Sequence, residues 1–373
     1  MKIIYLPLEH IESRYTTALD RDIVNYLDNN NINYVRIYPD IPTPTQMKAG
    51  SFLDAEFTIR FKAEQIAEVA RLYREDEINS GDIVWSSDLW HPGLPESIAY
   101  MNYFANKDVK LRGLIHAGSF TDTDFVRDME RWAKNFEDIL FDVSDRIFCG
   151  SEFIKQDIIK KRIIQPDKLQ VTGFPLDLKN LDKYRMKHKK ENIVLFSARN
   201  VDEKQPWLFQ QMKDRLESKT QCQFINTQEL DLNKDEFYKL ISKSKIMVSF
   251  ALQENFGFSM LEARYLGCKV VVPNRLVYPE LYHSDDLYNT FDEACSMVED
   301  KLKNWDSELG YFDEDDNITR VETTFGPGIM SQQEAQEAQK IIDKNQPATA
   351  GGLTAQQLRD RRNQPKTGIF GID

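Results

Sequence analysis

The stretch at residues 245–273, KIMVSFALQENFGFSMLEARYLGCKVVVP, decides the fold predicted for this chain. It opens with an apolar run of strand length, and a polar turn that contains a glycine, QENFG, follows. Apolar residues recur with a helical period from Phe258 to Leu266, and Gly267 stands where a helix would end. KVVVP is a second, β-branched strand closed by a proline. The stretch is therefore one βαβ unit, and the unpaired N–H groups at the start of its helix form a ready site for an anion.

Two carboxylates flank this predicted anion site. Glu254 lies in the turn, and Glu262 lies eight positions later, inside the helix. Each carboxylate can accept two hydrogen bonds from neighbouring sugar hydroxyls, so the pair suits a polyhydroxyl ligand that is held by its diphosphate. The alternative is that both are ordinary solvated acids.

The spacing of the pair, with Phe-Gly soon after the first glutamate, resembles the signature of retaining nucleotide-sugar glycosyltransferases of the GT-B fold, of the large family-4 type. The resemblance implies that Glu254 contacts the donor sugar, that Glu262 holds the ribose and that the backbone amides between them meet the phosphates. The further donor-binding residues that it implies are Gly257, Phe258, Ser259 and Met260, together with Gly173 at the end of the first domain.

A pair of cations begins the second α/β pattern, in FSARNVDEKQP. Arg199 directly follows a strand, and Lys204 sits five residues later. Opposite the helix of the opening stretch, they would clamp a diphosphate from both sides, because Arg offers a bidentate fork and Lys a point charge. The pair is similar to the family's Arg and Lys, although Ala198 stands where glycine is usual. The alternative is two surface charges at a loop.

His116 ends another apolar strand, in LIHAGSF, and its position is similar to that of the histidine that the family places against the donor sugar. The resemblance therefore groups it with Glu254, Arg199 and Lys204 as candidate catalytic residues, although a lone histidine is often structural. The first turn, LPLEHIESRYT, departs from the family, because many members have a glycine pair there. The candidates for acceptor-side contacts are Glu9, Ser13, Arg14, Tyr15 and Asp88.

Length and composition bound the class of protein. The chain has 373 residues, of which 41% are hydrophobic and 11% aromatic, so it is globular and long enough for two domains with full cores. No apolar run approaches the ~20 residues of a membrane span, and the N-terminus shows no signal-peptide pattern. Four scattered cysteines without a CxxC pair argue against disulfide and zinc frameworks, and we expect a cytoplasmic location.

Strands alternate with helices along the chain, which predicts parallel sheets with crossover helices. We expect two Rossmann-like α/β domains that face a cleft, with ligands at the carboxyl ends of the strands. The predicted boundaries are 1–178 for an acceptor-side domain, 179–191 for a lysine-rich linker, 192–304 for a nucleotide-sugar-binding domain and 305–373 for an acidic segment and a flexible tail. The tail is either a docking element for a protein partner or a mobile terminus.

The net charge of −12 argues against a protein whose whole surface binds polyanions, but it leaves room for a local basic groove. Residues 183–190, KYRMKHKK, and residues 160–162 are the candidates, with solvated linker residues as the alternative. Two acidic motifs, Asp122-x-Asp124 and DEDD at 313–316, have the residue types of metal ligands. A helix cap explains the first and solvation the second, so we expect no metal site.

The resemblance implies transfer of a sugar from a nucleotide diphosphate donor, a UDP-sugar in our prediction, with retention at the anomeric carbon and without a metal or other cofactor. The acidic composition, divergent first domain and Gln-rich tail are similar in character to glycosyltransferases of large-tailed bacteriophages, some of which modify hydroxymethylated pyrimidines in DNA. Double-stranded DNA is therefore a predicted partner, and a glycan, a lipid or a small molecule is the alternative acceptor. The candidates for a groove around a flipped base are Arg14, Tyr15, Arg60, Lys62, Trp85 and Trp90. A non-catalytic sugar-nucleotide-binding protein and an epimerase are the other classes.

Overall fold

Strands and helices alternate through the residues that the computed structural model describes, which are 1–11, 14–42, 54–122, 124–174, 178–185 and 190–305. The elements of the N-terminal half, up to residue 174, are β1 (Ile3–Leu6), α1 (Thr16–Asn29), β2 (Tyr34–Arg36), α2 (Ala55–Arg74), β3 (Ile83–Ser86), α3 (Leu94–Ala105), β4 (Lys110–Ile115), α4 (Glu130–Val143), β5 (Arg146–Cys149), α5 (Glu152–Lys161) and β6 (Leu169–Val171). These strands form a parallel sheet in the order β2-β1-β3-β4-β5-β6.

The C-terminal half, residues 190–305, repeats the alternation around a second parallel sheet. Its elements are β7 (Glu191–Phe196), α6 (Pro206–Thr220), β8 (Gln223–Asn226), α7 (Lys234–Lys243), β9 (Ser244–Val248), α8 (Phe258–Tyr265), β10 (Lys269–Pro273), α9 (Tyr278–Leu281), β11 (Leu287–Tyr288) and α10 (Phe291–Lys303). The strand order is β11-β10-β9-β7-β8. A 3₁₀ segment, Leu178–Tyr184, precedes this half.

Burial on both faces explains why the strands read as apolar runs. Every residue of β1 and of β9 is buried, which is the pattern of a parallel sheet covered by helices on both sides. Each sheet has a hydrophobic cluster of its own. The predicted class, two parallel α/β sheets, is confirmed. The domain boundaries stay a prediction, and the tail lies outside the described residues.

Local signals at the chain turns place the helices of the C-terminal half. Gly257 precedes α8 with φ of +77°, and Gly267 follows it with φ of +81°, as the predicted turn and helix stop require. Helix α10 is not among the predicted elements, although Thr290 and Glu293 form a capping box at its start. None of the described helices is long and apolar enough to cross a membrane.

Two helix starts differ from the prediction. The apolar and polar pattern of 11–30 predicts a helix from residue 11, but α1 begins at Thr16. The sequence HPGLPES, at 91–97, predicts a Pro-Gly loop, but helix α3 begins inside it, at Leu94. Gly93 adopts φ of +91° directly before this helix, and Pro95 lies in its first turn, where its missing N–H group costs no helical hydrogen bond.

A buried ion pair fixes the loop that follows β4. Arg162 Nε donates to Glu137 Oε2 at 2.7 Å, and both side chains are at most 1% exposed. Glu137 also accepts from the Ser119 amide at 2.6 Å, and Arg162 donates to the Ser119 hydroxyl at 2.7 Å. A Cβ at Gly118 would lie 2.3 Å from Phe120, so the chain passes this network too closely for a side chain. The network therefore sets the position of the residues between β4 and α4.

Side chains and backbone join the two halves at separate points. Both carboxylate oxygens of Glu280, in α9, accept from backbone amides at the start of α5, from Glu152 at 2.8 Å and from Phe153 at 2.5 Å. Asn180 donates to Asp22 of α1 at 3.3 Å. These contacts hold the carboxyl edges of the two sheets on the same cleft.

Arg162→Ala should lower the free energy of unfolding by about 3–5 kcal/mol, because it leaves the Glu137 carboxylate buried without its cation. Urea denaturation followed by circular dichroism measures the loss. The matched control is Lys134→Ala, which breaks a pair with Asp138 on α4 whose side chains are 44% and 28% exposed. That change should cost less than about 1 kcal/mol. Equal losses in the two variants would contradict the role of the buried pair.

Candidate functional site

The cleft lies where the carboxyl ends of β4 and β9 meet. His116 is the first residue after β4, and the turn at 249–257 follows β9. The Asn255 side-chain amide donates to the backbone carbonyl of His116 at 2.9 Å, so the two strand ends are in direct contact. The structure thus brings the predicted histidine of one half against the predicted glutamate turn of the other.

Glu254 is oriented by the backbone of its own turn. Its Oε1 accepts from the amides of Gly257 at 2.9 Å, Asn255 at 3.2 Å and Phe256 at 3.4 Å. The amide of Met260 donates to the Gly257 carbonyl at 3.0 Å and is used within the turn. The amides of Phe258 and Ser259, at the first two positions of α8, belong to the group that a helix start leaves without helical acceptors. The predicted anion site is therefore at 258–259, with Glu254 beside it.

Lys204 connects the predicted cation pair to this turn. Its side chain is 10% exposed, and its ammonium donates to the Gln253 carbonyl and lies 3.3 Å from Glu254 Oε2. Arg199 pairs with Glu203 at 2.5 Å. The amide of Leu252 also donates to the Glu203 carbonyl at 2.7 Å, which fastens the loop after β7 to the loop after β9. The structure places both cations at the carboxyl edge of the second sheet.

Glu262 lies in α8 with its carboxylate turned into the C-terminal half. It is 6% exposed, accepts from the Tyr238 hydroxyl at 2.7 Å and lies 3.9 Å from the Lys234 ammonium. Burial raises the pKa of Glu262, and the Lys234 charge opposes this. A hydroxyl-bonded carboxylate beside a cation is suited to accept further hydrogen bonds from a sugar ring.

Both ring nitrogens of His116 have partners in the protein. Nε2 lies 2.7 Å from the Ser87 carbonyl, and because a carbonyl only accepts, Nε2 carries the proton. Nδ1 therefore accepts from the Tyr15 hydroxyl at 2.9 Å. Burial lowers the pKa of His116, which favours the neutral ring. His116 also stacks on Phe174 with 4.5 Å between centroids, so it is a packed, neutral side chain at the cleft.

An aromatic cluster joins the halves around this histidine. Tyr15 stacks on Phe258 with 4.5 Å between ring centroids, and Phe174 meets Phe256 edge-on at 5.0 Å. Gly173, directly before Phe174, adopts φ of +73°. The sequence did not predict this cluster, because its rings come from separate segments. Tyr15 thus lies across the start of α8.

The candidates for acceptor-side contacts, apart from Ser13, lie around Tyr15 at the cleft. Burial raises the pKa of Tyr15, and the charges that act on it next are those of Asp88, Arg14, Glu254 and Glu9. Glu9 is 5% exposed, and its Oε1 has no hydrogen-bond partner among the described residues. Asp88 accepts from the Trp90 amide at 3.0 Å. Ser13 lies outside the described residues.

Three of the residues suggested for a groove around a flipped base make their contacts inside the N-terminal half. Trp85 is 3% exposed and packs on Tyr5, so it is no wedge. Lys62 is 8% exposed and donates to the Trp90 carbonyl at 2.6 Å. The Trp90 indole donates to the buried Glu137 at 3.0 Å. That suggestion is wrong for Trp85 and Lys62, which are buried, and Trp90 is partly buried against the same core.

Asp124, which the sequence predicts as a helix cap, is also a titratable residue of the cleft. The cap is confirmed, since its side chain accepts from the Val126 amide at 3.1 Å. Burial raises its pKa to about 6, and the charges of Glu203, Arg199 and Lys204 act on it from the other half. No local sequence signal indicates that proximity.

Metal ligation was the alternative for this region. Among the described residues no group of three or more His, Cys, Asp or Glu side chains is placed to hold a metal ion. Asp122 pairs with Lys161 at 2.8 Å. The DEDD segment lies outside the described residues.

Comparison with known proteins adds one partial relative. No model of a protein family matches the chain. The tRNA-queuosine alpha-mannosyltransferase of Drosophila melanogaster is 39% identical over 85 residues, which are 23% of this chain and 21% of that protein. The chain thus spans about a fifth of the length of this relative.

Solved structures match almost the whole chain. The catalytic domain of Starch Synthase IV from Arabidopsis thaliana, bound to ADP and acarbose, superposes with a TM-score of 0.59 over 92% of this chain and 98% of that one, at 9% identity. A glycosyltransferase from Rickettsia africae superposes with a TM-score of 0.53 over 92% and 99%, at 13% identity. The chain has the GT-B fold. The predicted fold class is confirmed, and the cleft between the two sheets is the GT-B cleft.

Asp124→Asn should stabilise the protein above pH 6, on the order of 1 kcal/mol, and the gain should vanish below about pH 4. The folded-state pKa of about 6 lies above the unfolded value of 3.8, so the ionised aspartate opposes folding at neutral pH and the neutral acid does not. Urea denaturation across this pH range measures the difference. Asp54→Asn, at the exposed N-cap of α2, is the control and should show no gain, because the charge there favours the helix start. A pH-independent difference at Asp124 would contradict the burial argument.

Proposed function

We propose that this chain transfers a sugar from a nucleoside diphosphate donor to a hydroxyl acceptor, with retention at the anomeric carbon. One observation carries the proposal. The start of α8 is flanked by Glu254 and Glu262, and Lys204 is buried against Glu254 from the neighbouring loop. This arrangement offers helix amides and cations to a diphosphate, and carboxylates to the sugars on either side of it.

The donor would lie across the start of α8. The amides at 258–259 and the charges of Arg199 and Lys204 would stabilise the negative charge that develops on the leaving diphosphate, so we propose that no metal is needed. Glu254, held through Oε1 by its turn, would direct its second oxygen to the donor sugar. Glu262 would accept from the ribose hydroxyls.

The acceptor would enter from the side of Tyr15 and Glu9. In the proposed mechanism the acceptor hydroxyl attacks from the face that the diphosphate leaves, and the departing phosphate takes the proton. His116 would serve as a neutral packed wall of the donor site, because both of its nitrogens are engaged. Closure of the two halves would exclude water and limit hydrolysis of the donor.

Two donors are candidates. The Drosophila relative is named for transfer of mannose, which supports a nucleoside diphosphate mannose. A UDP-sugar is the prediction from the sequence. The Arabidopsis structure contains ADP, which supports a nucleoside diphosphate as the leaving group in either case.

Nucleotide release from GDP-mannose and from a panel of UDP- and ADP-sugars tests the donor. One donor should be consumed, and Lys204→Ala and Glu254→Ala should each lower the rate about 10²-fold, because each removes charge or alignment at the diphosphate. Lys160→Ala, on the exposed end of α5, is the control and should leave the rate unchanged. Turnover that requires added Mg²⁺ would overturn metal independence, and no binding of any donor would overturn the proposal.

A modified base in a nucleic acid is the acceptor that the comparisons and the sequence both support. The Drosophila relative is named for queuosine in tRNA, and the sequence predicts hydroxymethylated pyrimidines in phage DNA. Both present a hydroxyl on a base, and we propose the tRNA acceptor first, because it rests on sequence identity. A cytoplasmic location and a protein partner for the tail are further proposals.

Adding tRNA that carries queuosine should raise the rate of nucleotide release at least about tenfold over hydrolysis. Tritiated donor sugar should become acid-precipitable with that tRNA. The control is tRNA from cells that lack queuosine, which should give the rate of hydrolysis alone. Label transferred to DNA that contains hydroxymethylcytosine would favour the phage-type acceptor instead.

A further inference from the structure

Cations and aromatic rings alternate on one surface of the C-terminal half. We call this surface the cationic edge, and it consists of Lys183, Tyr184, Arg185, Lys234, Phe237, Lys239 and Tyr265, with the buried Tyr238 beneath them. These residues come from the segment before β7, from α7 and from the end of α8. The sequence shows only the lysine-rich run, and folding adds the other members.

Several contacts at the cationic edge pair a charge with a ring, and Lys239 pairs instead with Asp235. Lys183 Nζ lies 4.8 Å from the centroid of Tyr184, and the Arg185 guanidinium lies 5.2 Å from that of Tyr265. Lys234 Nζ lies 4.9 Å from the ring of Tyr238. Cations held against ring faces keep their N–H groups directed outward, where phosphate oxygens can reach them.

The segment is fastened to the helices beneath it. The Tyr184 hydroxyl donates to Asp235 at 2.9 Å, and the Tyr265 hydroxyl donates to Asp182 at 2.6 Å. Lys183 is exposed, and the Lys239 side chain is 62% exposed. The charges are therefore presented on an ordered surface.

The local charge is opposite to that of the whole chain. The described residues of this region, 178–185 and 234–243, contain six Lys and Arg and three Asp and Glu, a net charge of +3 in a chain of net charge −12. A polyanion would be repelled by most of the protein and attracted here, so binding would have one orientation.

The cationic edge reaches the proposed donor site. Tyr238 donates to Glu262 at 2.7 Å, and Lys234 lies 3.9 Å from the same carboxylate. Burial raises the pKa of Tyr238, and Arg21 of α1 is close enough to oppose that shift with its charge. The cationic edge thus adjoins a carboxylate of the proposed donor site.

We propose that the cationic edge binds the phosphodiester backbone of a structured RNA and presents one of its bases to the cleft. The inference rests on the proposed transfer of a sugar to a nucleic acid and specifies where that acceptor docks. The interleaved rings favour RNA, because unpaired bases of a loop can stack on them, whereas the bases of a DNA duplex are stacked on one another. Lysine and arginine supply the affinity, and the rings supply the preference for an open loop.

Fluorescence anisotropy of the full chain with labelled, unfractionated tRNA, over a series of KCl concentrations, tests the proposal. Lys183→Ala/Lys239→Ala should raise the Kd several-fold and reduce the slope of log K against log salt by about two, one for each lost phosphate contact. Arg74→Ala/Lys219→Ala removes the same charge from the exposed ends of α2 and α6 and should leave both quantities unchanged. The rate of donor hydrolysis without RNA should be unchanged in both variants.

Each of the other outcomes would overturn one part of the proposal. Equal weakening in the two double variants would show a general effect of net charge, and no tRNA binding would remove the docking surface. Tighter binding to duplex DNA than to tRNA, lost in Lys183→Ala/Lys239→Ala, would overturn the choice of RNA. Donor hydrolysis that persists while tRNA binding fails would overturn this inference alone, whereas tRNA binding without any donor use would overturn the proposed function.

Discussion

The cleft depends on the hydrogen bonds that satisfy the backbone amides of the turn after β9, at the carboxyl edge of the second sheet. The turn after β9 directs the N–H groups of Asn255, Phe256 and Gly257 at one point, and Glu254 folds back onto them. An acid at this point is held by its own backbone, so it needs no partner from elsewhere to be oriented. Lys204 then balances the remaining oxygen, which ties the loop after β7 to the same point. The position of the cleft follows from this arrangement.

Most of the fold could be predicted from the sequence because the signals are local. Buried parallel strands are continuous apolar runs, and Gly257 and Gly267 bound α8 where positive φ is required. Of the two helix starts that differ from the prediction, the one at Leu94 follows Gly93 with positive φ and has Pro95 in its first turn. The one at Thr16 has no side-chain cap that the sequence could reveal. Helix α10 was not predicted, although Thr290 and Glu293 form a capping box at its start.

The candidate site was predictable only in part, for a different reason. Glu254, Arg199 and Lys204 lie directly after predicted strands, and the structure places them at one sheet edge, whereas Glu262 lies inside α8 against Tyr238. The Asp124 charge, the stacking of Tyr15 on Phe258 and the partners of His116 depend on segments far apart in the chain. Trp85 shows the converse, since the sequence suggests it as an exposed wedge and the folded protein buries it in the core.

The contact between Glu280 and the start of α5 is specified by one side chain only. Its two acceptors are carboxylate oxygens, but its two donors are backbone amides of Glu152 and Phe153. Substitution at 152 or 153 therefore changes side chains that the contact does not use, whereas substitution at 280 removes it completely. This contact between the halves therefore constrains one side chain in α9, whereas on the α5 side it requires only that neither residue is proline.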